Sequence, residues 1–269
     1  MFQNLHPDNI EEYLKKQHEE VRTSYPIPQY AKSDLVCVDI GANVGSFIVY
    51  AAHRRPFTKI YAYEPVKENI GFLERVKSYL SSITHLYIKR LAVHTQSGQQ
   101  INLYTPSVYS DDVYVSEHPR GASHIKIQDT CKTISLSDVI KTTGEIDYLK
   151  VDCEGAEYDI FECFSEFDKI KVLSMELHYG EEFVKKRPLL ELLQKHFIFV
   201  DIYRYHTNSI YVTNACINNH ITDLDFLAKV NNITCIHKQQ VNNVWFPEPP
   251  ISTAEEAYEA VRKYKEELS

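Results

Sequence analysis

The chain has no excess of basic residues: 29 Lys and Arg stand against 37 Asp and Glu, a formal charge of -8. That excludes a broad cationic surface for a nucleic-acid backbone, although not a local basic patch. The six cysteines, at 37, 131, 153, 163, 216 and 235, form no CxxC pair and no metal-type spacing. Reduced thiols in a cytoplasmic setting are the expectation. Met1 to Lys16 contains no apolar h-region, so a signal peptide is not expected. No stretch of about 18 apolar residues occurs, so no membrane span is expected. Internal repeats are absent as well.

What is present is a strand, a glycine turn and a helix in Val36-Cys-Val-Asp-Ile-Gly-Ala-Asn-Val-Gly-Ser-Phe47. Such a turn brings backbone close to a ligand and aims the N–H groups of a helix start at it. Ile60-Tyr-Ala-Tyr-Glu64 reads as a second strand ending in a carboxylate. Glu64 follows Gly41 by 23 positions, the spacing at which an acid binds a ribose diol. The glycine spacing is Gly41-Ala-Asn-Val-Gly45, so the second glycine of the G-x-G-x-x-G fingerprint is missing. A dinucleotide pyrophosphate needs that bare backbone; a sulfonium nucleoside does not. Asp39 at the strand tip would repel a phosphate and suits a cationic ligand. S-adenosyl-L-methionine carries an ammonium and a sulfonium, and its carboxylate could use the helix start at Gly45 and Ser46.

Strands and helices alternate along most of the chain. Strands are expected at 35–40, 59–63, 85–91, 146–151 and 171–177, and helices at 45–54, 66–80, 135–141, 157–164 and 187–195. Residues 99–104 and 122–128 interrupt the rhythm as extra strands or a hairpin. Phe197 to Tyr203 and Ile210 to Thr213 read as an antiparallel hairpin closing a mostly parallel sheet. The fold class is therefore α/β with a doubly wound, Rossmann-like sheet and ligands at the carboxyl ends of the strands. Asn9 to Val21 reads as a helix broken by Tyr25-Pro-Ile-Pro28. Ser252-Thr-Ala-Glu-Glu256 carries N-cap signals for a terminal helix.

The segments VDIGANVGSF, YAYEPVKEN, LAVHTQSG, TISLSDVI and IDYLKVDCEGAEYDIF, in that order, resemble the FkbM family of S-adenosylmethionine-dependent methyltransferases. The resemblance runs over about residues 35 to 213. It implies a class I methyltransferase fold and methylation of a hydroxyl, commonly on a sugar-containing or other small-molecule acceptor. It places Asp39, Gly41, Asn43, Gly45 and Glu64 at cofactor positions and Ala92 near the adenine. It also suggests that Ser123, in Gly121-Ala-Ser123, faces the acceptor. On this reading residues 1–30 are an N-terminal helical extension, 31–214 the methyltransferase domain with an insertion near 99–128, and 215–269 a C-terminal extension.

A second polar constellation is Asp152-Cys-Glu154-Gly-Ala-Glu157, directly after the 146–151 strand. Met175-Glu176-Leu-His178 ends the next strand, and side-chain alternation puts Glu176 and His178 on one face. An alcohol acceptor lacks nucleophilicity and needs a base as the new bond forms, a contribution of about 10²–10⁴-fold. The candidates are His178 oriented by Glu176, or Asp152 taking the proton. Glu154 joins the acceptor side. Glu157 lies in a first helical turn, where a carboxylate stabilises the dipole in any case. Lys150 is expected on the opposite strand face and is given no role. A divalent metal held by Asp152, Glu154, Glu176 and His178 would serve the same chemistry, but no tight ligand spacing supports it.

Thr105 to Ser123, with Tyr109, Tyr114, His118 and Arg120 after Tyr104, reads either as a binding loop with aromatic faces for a ring or as a solvated surface excursion. Nucleic acid is the rival acceptor, disfavoured by the acidic balance. Two further classes fit part of the pattern: an NAD-dependent oxidoreductase and a non-catalytic nucleoside-binding module.

Overall fold

The apolar runs that read as strands are strands, and the central ones are buried on both faces, as parallel strands between helical layers must be. The computed structural model describes Val21 and residues 24–30, 33–54, 57–105, 114–116, 125–177, 183–203, 232–240 and 244–245. In chain order the elements are β1 (Gln29–Tyr30), β2 (Leu35–Ile40), α1 (Ser46–Arg54), β3 (Phe57–Tyr63), α2 (Lys67–Tyr79) and β4 (His85–Lys89). There follow β5 (Ala92–His94), β6 (Gln100–Thr105), β7 (Tyr114–Ser116), β8 (Ile125–Ser135), α3 (Leu136–Thr143), β9 (Ile146–Val151) and α4 (Glu157–Glu162). The last are β10 (Ile170–Glu176), α5 (Phe183–His196), β11 (Phe197–Tyr203), β12 (Asn232–His237) and β13 (Val244–Trp245).

The main sheet has seven strands in the order β11-β12-β10-β9-β2-β3-β4. β10, β9, β2, β3 and β4 pair parallel, while β12 runs antiparallel between β10 and β11. Successive residues on each strand feed opposite layers. Val38, Ile40, Leu149 and Val151 pack with Leu136, Val139, Phe161, Leu190 and Leu193, from α3, α4 and α5. Cys37, Tyr148 and Val172 pack on the other face with Phe47, Ile48, Leu73 and Val76, from α1 and α2. The result is an α/β/α sandwich with a mostly parallel sheet. The interruption belongs to a separate four-stranded sheet, β5-β8-β6-β7, that reaches beyond 99–128: it begins with Ala92 of β5, includes β7 within the segment read as a loop, and its strand β8 runs on to Ser135 rather than ending near 128.

Three further features depart from expectation. The segment expected as a single strand over 85–91 divides into β4 in the main sheet and β5 in the smaller one. The antiparallel partner of β11 is β12, drawn from beyond residue 214, and it also pairs with β10; Ile210–Thr213, the expected partner, lies outside the described residues. Gln29–Tyr30 and Val244–Trp245 pair antiparallel with each other, although neither reads as a strand. Two-residue strands carry no periodicity to read. The expected helices at Asn9–Val21 and after Ser252 fall outside the described residues, save Val21 itself.

The glycine turn between β2 and α1 owes its shape to close packing. Gly41 has φ +76°, and a Cβ there would meet the Asp152 carbonyl oxygen at 1.7 Å. Gly45 has φ +94°, and its Cβ would approach Leu73 and Val76 side chains of α2 at 3.1 Å. The first neighbour is backbone and cannot yield, whereas the second is a pair of methyl groups. Gly41→Ala is therefore expected to cost at least about 3 kcal/mol and Gly45→Ala roughly 1–3 kcal/mol. Urea unfolding of the two variants measures the order, and equal losses would refute it.

Candidate active site

Parallel strands leave their carboxyl ends open to one side, and the polar residues collect there. The Glu64 carboxylate, at the end of β3, is almost fully buried. Its Oε2 accepts the Asn43 N–H at 2.8 Å, and Oε1 accepts the Val66 N–H at 2.8 Å and the Asn69 Nδ2 at 3.3 Å. Asn43 reaches this bond from a left-handed conformation, φ 49°. Burial pushes the Glu64 carboxyl above its ordinary value, and these donors offset part of the rise. A carboxylate has about four acceptor positions, so a ribose hydroxyl can still bond to it. The Gly41 and Ala42 N–H groups both bond to the Tyr63 carbonyl, at 3.0 and 3.2 Å, which locks the turn to the end of β3. Ser46 opens α1 beside it. Ala92 is buried in a small cluster with Ile101, Leu103 and Cys131, against which Val66 packs. The structure thus brings Gly41, Asn43 and Glu64 together and lays Val66, the neighbour of Glu64, against the apolar group around Ala92.

Lys150 corrects the sequence expectation. Residues 148, 150 and 152 have the same parity, so in an extended strand they share one face. In the sheet register Lys150 stands opposite Asp39 on β2 and Ser174 on β10. Its Nζ lies 3.2 Å from Asp39 Oδ1 and 3.3 Å from Asp152 Oδ2, and it donates to the Gly41 carbonyl at 2.8 Å. The Asp39 contact is an ion pair without hydrogen-bond alignment, so both oxygens of this fully buried carboxylate lack a hydrogen-bond partner. The cation facing Asp39 is therefore a residue of the chain. Burial pushes the Asp39 carboxyl up; Lys150 counters this, and Asp152 adds to it. Burial alone would lower the Lys150 ammonium, but Asp152 and Asp39 more than reverse that and hold it well above the usual lysine range. Ser174 Oγ and Thr234 Oγ1, 2.7 Å apart, extend the same buried polar row onto β10 and β12.

Tyr25 is the residue that sequence reasoning missed. Its hydroxyl bridges Asp152 Oδ2 at 2.8 Å and Glu176 Oε2 at 3.2 Å, joining the ends of β9 and β10. No strand or helix signal marks it, because Tyr25-Pro-Ile-Pro28 reads only as a helix breaker. Burial, then the two carboxylates, push its hydroxyl far above an ordinary tyrosine. Asp152 and Glu176, predicted to converge, are thus brought within reach of one hydroxyl. Glu154 sits in the turn after β9 with φ 55°, followed by Gly155 at φ 94°. Glu157 is fully buried, and its Oε2 accepts the Gly155 N–H at 2.8 Å, so it folds back to hold this turn. His178, Ser123, Tyr109, His118 and Arg120 lie outside the described residues; of Tyr114 the backbone alone is described.

The sequence profile of the methyltransferase FkbM domain matches residues 39–205, more than half of the chain. The chain belongs to the methyltransferase FkbM family. Among solved structures it is similar to methyltransferase FkbM from Methylobacillus flagellatus, at 12% identity and TM-score 0.46 over 76% of this chain and 44% of that one. It is likewise similar to precorrin-6y C5,15-methyltransferase from Geobacter metallireducens, at 13% identity and TM-score 0.40 over 82% and 89% of the two chains. A third is TrmK from M. capricolum in complex with S-adenosyl-homocysteine, at 10% identity and TM-score 0.44 over 96% and 98%. The chain spans less than half the length of the M. flagellatus protein. No curated protein matches it.

Within this FkbM domain the matched segment contains Asp39, Glu64, Lys150, Asp152 and Glu176, whereas Tyr25 precedes it. Among the described residues no group of three or more His, Cys, Asp and Glu is arranged to hold a metal ion, and no helix is long and apolar enough to cross a membrane. The charge between Asp39 and Asp152 is compensated by an ammonium. Because Lys150 has its pKa raised, its stabilising contribution is complete below the unfolded lysine value and is lost only as pH rises through the folded one. Lys150→Met should leave Asp39 buried and unpaired and cost roughly 3–5 kcal/mol. The double variant Asp39→Asn, Lys150→Met should regain part of that loss in urea unfolding, and a double variant as unstable as the single one would reject the pairing.

Proposed function

We propose that this FkbM domain transfers a methyl group from S-adenosyl-L-methionine to a hydroxyl of a sugar-containing or other small-molecule acceptor. The observation that carries the donor side is the Glu64 carboxylate, pinned to the glycine turn through Asn43 and retaining acceptor capacity for a ribose hydroxyl. When bound, S-adenosylmethionine supplies a sulfonium methyl that is already a good electrophile. Gly41, Asn43, Gly45, Ser46 and Glu64 would hold the nucleoside and amino-acid ends, with Ala92 toward the adenine. Asp39 is fully buried and serves this side through Lys150, whose ammonium it faces and which in turn holds the Gly41 carbonyl.

The chain's task on the acceptor side is to bind, align and deprotonate a hydroxyl. The group to receive that proton is Asp152, at the end of β9, or His178 oriented by Glu176 at the end of the neighbouring strand. Alignment at roughly 3–3.5 Å adds to the rate. Ser123 and Glu154 complete the acceptor side on this reading. The ammonium of Lys150 stays protonated and so serves as a fixed charge.

Calorimetry with S-adenosylmethionine and with its demethylated product should register binding to the purified protein, and absence of heat with both would overturn the assignment. Glu64→Ala should weaken binding by roughly 1–3 kcal/mol, about ten-fold or more. Asp152→Asn should lower turnover far more than cofactor affinity, with turnover followed as a gain of one CH2 in acceptor mass. Full activity in that variant would remove Asp152 from the proton path.

A further inference from the structure

We propose that Tyr25 is a positioning residue of the acceptor side, its hydroxyl holding the Asp152 and Glu176 carboxylates side by side across β9 and β10. The proposal rests on the reading of those two carboxylates given above, and it extends the working site beyond the family-matched residues 39–205 into the segment that precedes them.

Three observations place Tyr25 there by construction. The first is its anchoring. The Tyr25 N–H donates to the Val21 carbonyl at 2.9 Å, Tyr148 donates its hydroxyl to the Pro26 carbonyl at 3.2 Å, and Tyr30 donates to the Asp147 carbonyl at 3.2 Å. Residues 25–30 therefore lie as a strap along β9, from Asp152 at its carboxyl end to Asp147 near its start. β1, at the end of the strap, is clasped by β13. The second is the seat of the ring. It packs edge-on against Phe47 at 5.8 Å between centroids, and Lys150 Nζ lies 5.3 Å from its own centroid. A ring so held directs its hydroxyl to one place.

The third is the charge pattern that the hydroxyl meets. Among the described residues, Asp39, Lys150, Asp152 and Glu176 face this region, three carboxylates and one ammonium. Lys150 contacts Asp39 and Asp152, and the Tyr25 hydroxyl links Asp152 to Glu176. Two carboxylates brought this close repel unless a donor lies between them. The phenol is suited to that place because burial and its neighbours keep it protonated far beyond neutral pH. It has one proton, and the shorter bond goes to Asp152. A phenylalanine would fill the same space and provide no donor.

The test compares the full chain with Tyr25→Phe. At about pH 8 the variant should melt about 3–10 °C lower, the effect of one lost hydrogen bond to a charged group in a chain of this size. A hydroxyl bonded to a carboxylate favours the charged form, so its contribution is present at neutral pH and is lost as the carboxyls protonate. The gap in melting temperature should therefore persist at neutral pH and close as the pH falls to about 4 and below, where carboxyls protonate. A gap that stays constant with pH would show that Tyr25 only fills space, and no gap at any pH would show that the bridge contributes nothing; either overturns the proposal. In calorimetry with S-adenosyl-homocysteine, Tyr25→Phe should bind within about three-fold of wild type. A loss of ten-fold or more would assign Tyr25 to the donor side and also overturn it. Wild-type protein that binds neither this compound nor S-adenosylmethionine would instead remove the reading of the site on which the proposal depends, a result separate from the melting comparison.

Discussion

A single buried ammonium holds the carboxyl ends of the central strands in their arrangement. Lys150 reaches Asp39 on β2, Asp152 after β9 and the carbonyl of Gly41 in the turn between β2 and α1. It is only 3% exposed, and Asp39 is fully buried. In that low-dielectric setting neither charge is tolerable without the other. The pair thus ties the glycine turn after β2 to the end of β9. Ser174 and Thr234 continue the row with a neutral hydroxyl pair, so polarity declines across the sheet from β9 to β12.

The glycine turn follows from the same crowding. Gly41 is bare because the Asp152 carbonyl occupies the space where a side chain would begin. The close approach that marks this turn in the sequence is, at Gly41, an approach of one strand end to another. Its consequence is still chemical, since it sets the Asn43 N–H against Glu64 and thereby fixes the carboxylate proposed for the ribose. At the opposite border, Tyr25 joins Asp152 to Glu176. The carboxylates at the ends of β3, β9 and β10 are thus linked through a chain of contacts from Glu64 to Glu176, with Lys150 at its middle.

Much of the fold is legible in the sequence. β2, β9 and β11 lie at their expected residues, because each is a short segment rich in β-branched and aromatic residues, too brief for a helix and bounded by turn or helix signals. Ser135 caps α3 by accepting the Asp138 N–H, in line with the helix expected to begin at that residue. β1 and β13 were not legible, since each is two residues long and owes its existence to the other. The place of β12 was hidden for a related reason. Its apolar residues, Ile233 and Cys235, are buried only because β10 and β11 flank it, and nothing local in Asn232–His237 names those partners. The face of Lys150 could have been found, because alternation by two already pairs it with Asp152.

By itself, the sequence determined the alternating architecture, the turn at Gly41 to Gly45, the acid at Glu64 and the polar strand ends at Asp152 and Glu176. These are properties of spacing and local pattern, which persist whatever the distant parts of the chain do. Tertiary structure alone decided that Lys150 neutralises Asp39, that Tyr25 crosses 127 positions to reach Asp152, and that β12 enters the sheet from far along the chain. Those outcomes depend on which buried charge or strand edge finds a partner, and a partner so remote in sequence leaves no periodicity by which to predict it.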